Sequence, residues 1–277
     1  MTLPRFVGRY EVREEIARGG FAVVVKAWDE ELECLVALKI LHESLANDDR
    51  IEQRFLQEAR LLRRVNSPHV ITVHDVGRLN DGRPYFVLDF ADRGTLESRL
   101  EARELQRPLG GRCLMPLTEA LAEGLTAIHQ AGLVHRDIKP GNILFDKDQQ
   151  PCIADFGLAM RQDERGRFLG MTMGTPAYMS PEQARGEGHG ADRRTDVYSL
   201  GVIFYELLTG ERPFRGSTVS QVLDQLKTAE VRPLRQVDGG HHQRPKVTHL
   251  ASSSRASLGD PRDHDVRLSL GAQNPCI

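Results

Sequence analysis

The stretch His135-Arg136-Asp137-Ile138-Lys139-Pro140-Gly141-Asn142 is followed, thirteen residues after Asn142, by Asp155-Phe156-Gly157. Four of these side chains share one chemistry. Asp155 and Asn142 offer hard oxygen donors, which suit Mg²⁺. Asp137 is a carboxylate able to accept the hydrogen of an attacking hydroxyl. Lys139, two residues on, brings a cation to the same turn. Phosphoryl transfer asks for this combination: divalent cations against a triphosphate, a group that orients the nucleophile, and positive charge beside the moving phosphate. A lone His-Arg-Asp triplet is weak support for that chemistry. The full string with Asp-Phe-Gly at loop distance is strong support.

Towards the N-terminus, Val23-Val24-Val25, Leu35-Val36-Ala37-Leu38 and Phe86-Val87-Leu88 are short β-rich runs. Between the second and third, Ile51, Phe55, Ala59, Leu62 and Val65 recur at spacings of three or four and predict a helix. Asp92-Arg93-Gly94 breaks the pattern, and beyond it the periodicity is helical. Leu117, Leu121, Leu125 and Ile128 mark one helix face. Leu200, Ile203 and Leu207 mark another, ended by Gly210. Val219, Val222, Leu223 and Leu226 mark a third, with Ser217 as its expected N-cap. A strand-rich first third before a helix-rich remainder predicts an α+β protein of two lobes, residues 10–89 and 90–237. Residues 238–277 differ: they hold four of the ten histidines, no aromatic residue, and no sustained period. They read as a disordered or weakly structured tail.

Composition sets the class. With 277 residues, 40% hydrophobic and 27% charged, the chain can build a sizeable core, which excludes global disorder and fibrous architectures. Lys+Arg is 37 against Asp+Glu 39, so no basic excess points to nucleic acid. Cys34, Cys113, Cys152 and Cys276 form no C-x-x-C pair, which suits a reducing compartment better than a disulfide framework or a zinc site. Met1 to Arg9 lacks an apolar leader, and no apolar run approaches the roughly 18 residues of a membrane helix. A cytoplasmic location without a membrane segment is the expectation.

With these residues in view, the chain resembles the eukaryotic-type protein kinases, and most of all the bacterial Ser/Thr kinases of that family. The likeness runs from about Tyr10 to Leu234. It implies the bilobal protein kinase fold, with a strand-rich N-lobe carrying one helix and a helical C-lobe. It implies ATP and Mg²⁺ as cofactors, with Asn142 and Asp155 as metal ligands. Asp137, Lys139, Asn142 and Asp155 would be the catalytic set. Val36-Ala37-Leu38-Lys39 matches the strand lysine motif, so Lys39 would meet the α/β-phosphates and pair with Glu58. The phosphate loop would be Ile16 to Val24, with Ile16, Ala17, Gly19 and Gly20 against the nucleotide. Leu88 resembles the gatekeeper, and Asp89-Phe90-Ala91 the hinge, where Asp89 and Ala91 would hydrogen-bond adenine. Val24, Ala37 and Leu144 would sandwich the adenine ring.

Gly174-Thr175-Pro176-Ala177-Tyr178-Met179-Ser180-Pro181-Glu182 resembles the end of an activation segment, and Asp196 the residue that holds the catalytic-loop backbone. Lys139 and Thr175 resemble Ser/Thr rather than tyrosine kinases. The implied function is transfer of the ATP γ-phosphate to Ser or Thr of protein substrates in bacterial signalling, with autophosphorylation through self-association in trans. No nucleic-acid partner is implied. Thr172 is the expected phosphosite, pairing with Arg136, while Thr175 is expected to bond near Asp137 and Lys139.

The chain departs from the family pattern in two places. Of G-x-G-x-x-G-x-V only the middle glycine, Gly19, is kept; Ala17 and Ala22 replace the outer two. From Asp238 the helical pattern stops, so the C-lobe reads as truncated after its αG-like helix, by frameshift or by natural ending. That leaves Glu182 without the arginine the family provides, and Arg262 is a weak substitute. A pseudokinase or scaffold acting through protein contacts is the alternative that both departures support. A P-loop NTPase is a poor match, because no G-x-x-x-x-G-K-[ST] string exists.

Overall fold

The computed structural model describes residues 4–46, 48–105, 108–155, 176–185, 192–228 and 231–234. Six strands form one antiparallel sheet: β1 (Phe6–Val7), β2 (Tyr10–Arg18), β3 (Ala22–Asp29), β4 (Cys34–Leu41), β5 (Val73–Arg78) and β6 (Pro84–Asp89). Their spatial order is β1-β2-β3-β4-β6-β5. The valine-rich runs are strands because both of their faces are covered. Val23, Val25 and Ala27 pack with Val36, Leu38 and Ile40 on one face. Ala22 and Leu41 turn to the other, where helix α1 (Asp49–Leu62) lies.

Asp48 caps α1 by accepting from the N–H groups of Arg50 and Ile51. The helix buries Ile51, Phe55, Glu58, Ala59 and Leu62. Phe55 meets Phe86 of β6 with ring centroids 4.7 Å apart. Burying one such side chain contributes roughly 1.5–3 kcal/mol. Val65, placed on this helix by its spacing, falls beyond the end, where its N–H bonds the Leu62 carbonyl in a closing turn.

The second lobe holds α2 (Leu96–Glu101), α3 (Gly111–Gln130), the two-stranded ribbon β7 (Ile143–Phe145) and β8 (Pro151–Ile153), α4 (Pro181–Ala184), α5 (Arg193–Thr209) and α6 (Val219–Thr228). Helix α5 buries Thr195, Asp196, Ser199, Leu200, Val202, Ile203, Glu206 and Leu207. It is the lobe's central element, and it ends on Gly210 at φ 76°, a conformation that favours glycine. The α6 cap differs from expectation. Thr218, not Ser217, precedes the helix and accepts from the Gln221 N–H, while Ser217 bonds the Gln221 side chain.

The lobes join through residues 69–71. The Ile153 N–H bonds the His69 carbonyl at 2.9 Å, and the Ile71 N–H bonds the Ile153 carbonyl at 3.0 Å. Gly124 of α3 permits this approach: a Cβ there would stand 2.6 Å from the His69 carbonyl oxygen. Residues 238–277, including Arg262, lie outside the described residues.

Candidate active site

Lys39 sits on β4 opposite Val24 of β3 and Phe86 of β6. Its Nζ lies 2.8 Å from Glu58 Oε1 on α1 and 2.6 Å from Asp155 Oδ1, across the lobe junction. Lys39 and Glu58 are both buried. Burial opposes the ammonium charge, but the Asp155 and Glu58 carboxylates outweigh it and hold the Lys39 pKa above its ordinary value. Lys39 draws Asp155 below the usual carboxylate range. Burial pushes Glu58 up to about 7, against the pull of Lys39. Both carboxylates lie within hydrogen-bond distance of the ammonium. Glu58 uses one oxygen, and among the described residues its buried Oε2 has no hydrogen-bond partner.

The loop carrying Asp137 is held from below by Asp196, a fully buried carboxylate on α5. Asp196 accepts from the His135 N–H at 2.8 Å, the Arg136 N–H at 2.7 Å and His129 Nε2 of α3 at 2.9 Å. Those bonds hold Arg136 at φ 65°, a left-handed conformation costing a non-glycine residue about 1–2 kcal/mol. Asp155 is a second such residue, at φ 54°. His135 joins the two. The Asp137 N–H donates to His135 Nδ1 at 3.2 Å, so Nε2 carries the proton and donates to the Ala154 carbonyl at 3.1 Å. Burial lowers the His135 pKa, which keeps the ring neutral for this arrangement.

Four predicted residues meet here. Lys139 Nζ lies 2.8 Å from Asp137 Oδ2. Asn142 Nδ2 donates to the Asp137 carbonyl at 2.8 Å and to Asp137 Oδ2 at 3.1 Å. The Ala154 N–H donates to the Asn142 carbonyl at 2.9 Å, which brings Asp155 beside Asn142. With its amide nitrogen engaged, Asn142 offers its amide oxygen to a cation. Together with the half-exposed Asp155 carboxylate, this is an all-oxygen donor set of the kind that holds Mg²⁺ shared with phosphates.

Above lies the β2–β3 turn. Ala17 pairs with Val24 across a register shift that leaves Ile16 unpaired, and the Gly19 N–H closes the turn on the Ala22 carbonyl at 3.0 Å. Gly19 is not in the left-handed region, and a Cβ on it would meet only that carbonyl oxygen, at 3.6 Å. The turn thus forms without glycine at 17 or 22, and Gly20 lies at its tip. Leu88, Ala91 and Leu144 pack against Ile71, Cys152 and Ala154, and Ala37 pairs with Leu88. Asp89 is fixed from behind: its N–H bonds the Thr72 carbonyl, and its carboxylate takes the Thr72 N–H at 2.9 Å and His74 Nε2 at 2.5 Å.

Residues 176–185 brace the loop from the far side. Gln183 Nε2 donates to the Arg136 carbonyl at 2.9 Å, Ser199 Oγ to the Tyr178 carbonyl at 2.8 Å, and Tyr178 OH to Glu206 at 2.6 Å. Glu182, expected to lack the family's arginine, takes a hydroxyl donor from α5: Thr195 Oγ1 donates to its Oε1 at 2.6 Å. Burial would raise the Glu182 pKa, yet that hydroxyl and neighbouring donors bring it below the ordinary value. His129, Thr195 and Gln183 carried no local sequence signal, because each acts on a residue brought close only by folding. Phe156, Gly157, Thr172, Gly174 and Thr175 lie outside the described residues.

Comparison with known proteins gives a consistent result. The family model described as protein kinase domain matches residues 10–257. The chain is 40% identical over 225 residues to the serine/threonine-protein kinase PknL of Mycobacterium tuberculosis, covering 80% of this chain and 55% of PknL. It is 39% identical over 221 residues to the DNA damage-responsive serine/threonine-protein kinase RqkA of Deinococcus radiodurans, covering 79% of this chain and 32% of RqkA. It is 37% identical over 243 residues to the serine/threonine-protein kinase PknB of Mycolicibacterium smegmatis, covering 85% of this chain and 38% of PknB. The chain therefore spans between 32% and 55% of these relatives' lengths.

Proposed function

This chain belongs to the protein kinase domain family, and on that premise we propose that it transfers the γ-phosphate of ATP to Ser or Thr hydroxyls of protein substrates. One observation carries the proposal. Lys39 on β4 stands 116 residues before Asp155, and Asp137, Lys139 and Asn142 lie on the loop ahead of Asp155, yet the five join through contacts of 3.1 Å or less and one intervening backbone bond.

In this reading Asp137 takes the hydrogen bond of the substrate hydroxyl and aims its oxygen at the phosphate. Lys139, already ion-paired with Asp137, holds positive charge where the phosphoryl group passes. Lys39 turns its ammonium to the α/β-phosphates, with Glu58 setting its direction from α1. Asn142 and Asp155 would hold Mg²⁺, which when bound would neutralise phosphate charge. Leu144 and Ala91 on one side, with Val24 and Ala37 on the other, form the apolar slot for adenine. The hinge spans Asp89 to Ala91, between lobes taken as residues 10–89 and 90–237.

The Ser/Thr class rests on Lys139 beside Asp137 and on the relatives' printed names. Signalling in a bacterium, and autophosphorylation at Thr172 through a second copy, belong to the same proposal. No helix among the described residues is long and apolar enough to cross a membrane. Incubation with γ-labelled ATP and a Ser/Thr-containing basic protein, with Asp137→Asn as control, tests it. Label should appear on Ser or Thr, require Mg²⁺ and be absent from the control. Label on tyrosine, or equal label in both samples, would refute it.

A further inference from the structure

The β2–β3 turn keeps glycine at 19 and 20 but has alanine at 17 and 22, so its shape is set by something other than flanking glycines. Within the turn, the Gly19 N–H bonds the Ala22 carbonyl at 3.0 Å. From outside, His42 holds it twice. The His42 backbone N–H donates to the Phe21 carbonyl at 2.9 Å, and ring Nε2 lies 2.8 Å from the Gly19 carbonyl oxygen. A carbonyl oxygen only accepts, so Nε2 carries the hydrogen in that contact.

His42 follows β4 directly in an extended conformation, φ −63° and ψ 143°. Along β4, Leu38 and Ile40 pack on one sheet face, while Lys39 and Leu41 turn to the face of Glu58 and Phe55. Alternation puts the His42 ring with Leu38 and Ile40, away from Lys39. The Gly19 carbonyl is thereby drawn outward. In a planar trans peptide the following N–H, that of Gly20, points the opposite way, towards the face of Lys39 Nζ. Oriented backbone N–H groups and a nearby ammonium are what phosphate oxygens bind.

We propose that His42 is a positioning residue for ATP: by holding the Gly19 carbonyl outward it aims the Gly20 amide at the nucleotide phosphates. This rests on the kinase reading of the site. His42 supplies through hydrogen bonds the turn shape that outer glycines would supply through conformational freedom.

Titration of the full chain with ADP and with adenosine tests this, in wild type, His42→Ala and His42→Gln. His42→Ala should bind ADP about three- to tenfold more weakly, the factor one net hydrogen bond carries, and adenosine within about twofold of wild type. His42→Gln, whose amide can donate to the same carbonyl, should recover most of the ADP loss. The ATP KM should rise in His42→Ala while kcat changes less. If His42→Ala lacks a native melting profile, His42→Leu replaces it in the comparison. Unchanged ADP affinity, equal losses for ADP and adenosine, or no recovery in His42→Gln would overturn the assignment. A wild-type chain that binds neither ATP nor ADP would overturn the kinase reading itself, and this assignment with it.

Discussion

Replacing Asp196 by Ala removes the acceptor of three hydrogen bonds at once, at a fully buried position. Each buried donor left unsatisfied costs about 1–3 kcal/mol. The three share one acceptor and are coupled, so their costs do not simply add, and a total of about 3–5 kcal/mol is expected. That is a large part of the 5–15 kcal/mol by which domains are typically stable. At about 2–4 °C per kcal/mol for a chain of this size, the melting temperature should fall by roughly 6–20 °C. Asp196→Asn keeps one acceptor oxygen and should fall between the two. Asp196 also holds the left-handed Arg136, so both variants should lose phosphotransfer beyond their loss of folded protein. Thermal unfolding by circular dichroism, with transfer rates measured well below the melting point, reads both effects. An Asp196→Ala protein melting within about 2 °C of wild type and transferring phosphate at the same rate would refute the reasoning.

Three further expectations concern neighbouring groups. Asp155→Ala removes the proposed metal donor and one of the two carboxylate partners of Lys39, and should abolish the Mg²⁺-dependent part of ATP binding, read by titration with and without Mg²⁺. The Glu58 pKa is raised from the ordinary value to about 7, so its favourable contribution is full below the unfolded value and lost as pH rises through about 7. Glu58→Gln, which cannot ionise, should therefore gain in melting temperature relative to wild type between pH 6 and pH 8; a constant difference over that range would count against the titration of Glu58. Thr195→Val deprives the half-buried Glu182 of its 2.6 Å donor, and should cost about 1 kcal/mol in denaturant melts.

Much of the fold was legible because its signals are local. The valine runs became β3 and β4, and the three-and-four spacing from Ile51 to Leu62 became α1. Strand β5 was not, because beyond Val73 it is almost wholly half-buried or exposed and carries His74 and Asp75, giving no apolar run. Helix α5 shows a weak apolar stripe because buried Thr195, Asp196, Ser199 and Glu206 interrupt it. At the site, Lys39 meets Glu58 and Asp155, and Asp137 meets Lys139 and Asn142. The residues that hold them do not announce themselves: His129, Thr195 and His42 act on groups 67, 13 and 23 residues away, respectively. The two alanines of the β2–β3 turn, which supported a scaffold reading, lose that force because neither Ala17 nor Ala22 sits in the left-handed region.

The most direct test separates nucleotide binding from chemistry at Asp137. In one preparation of Asp137→Ala, ATP affinity and the rate of γ-phosphate transfer to a protein substrate are measured against wild type. An orienting carboxylate contributes roughly 10²–10⁴-fold, so transfer should fall by at least about 10²-fold while Mg-ATP binds with near wild-type affinity. Near wild-type transfer by Asp137→Ala would contradict the account.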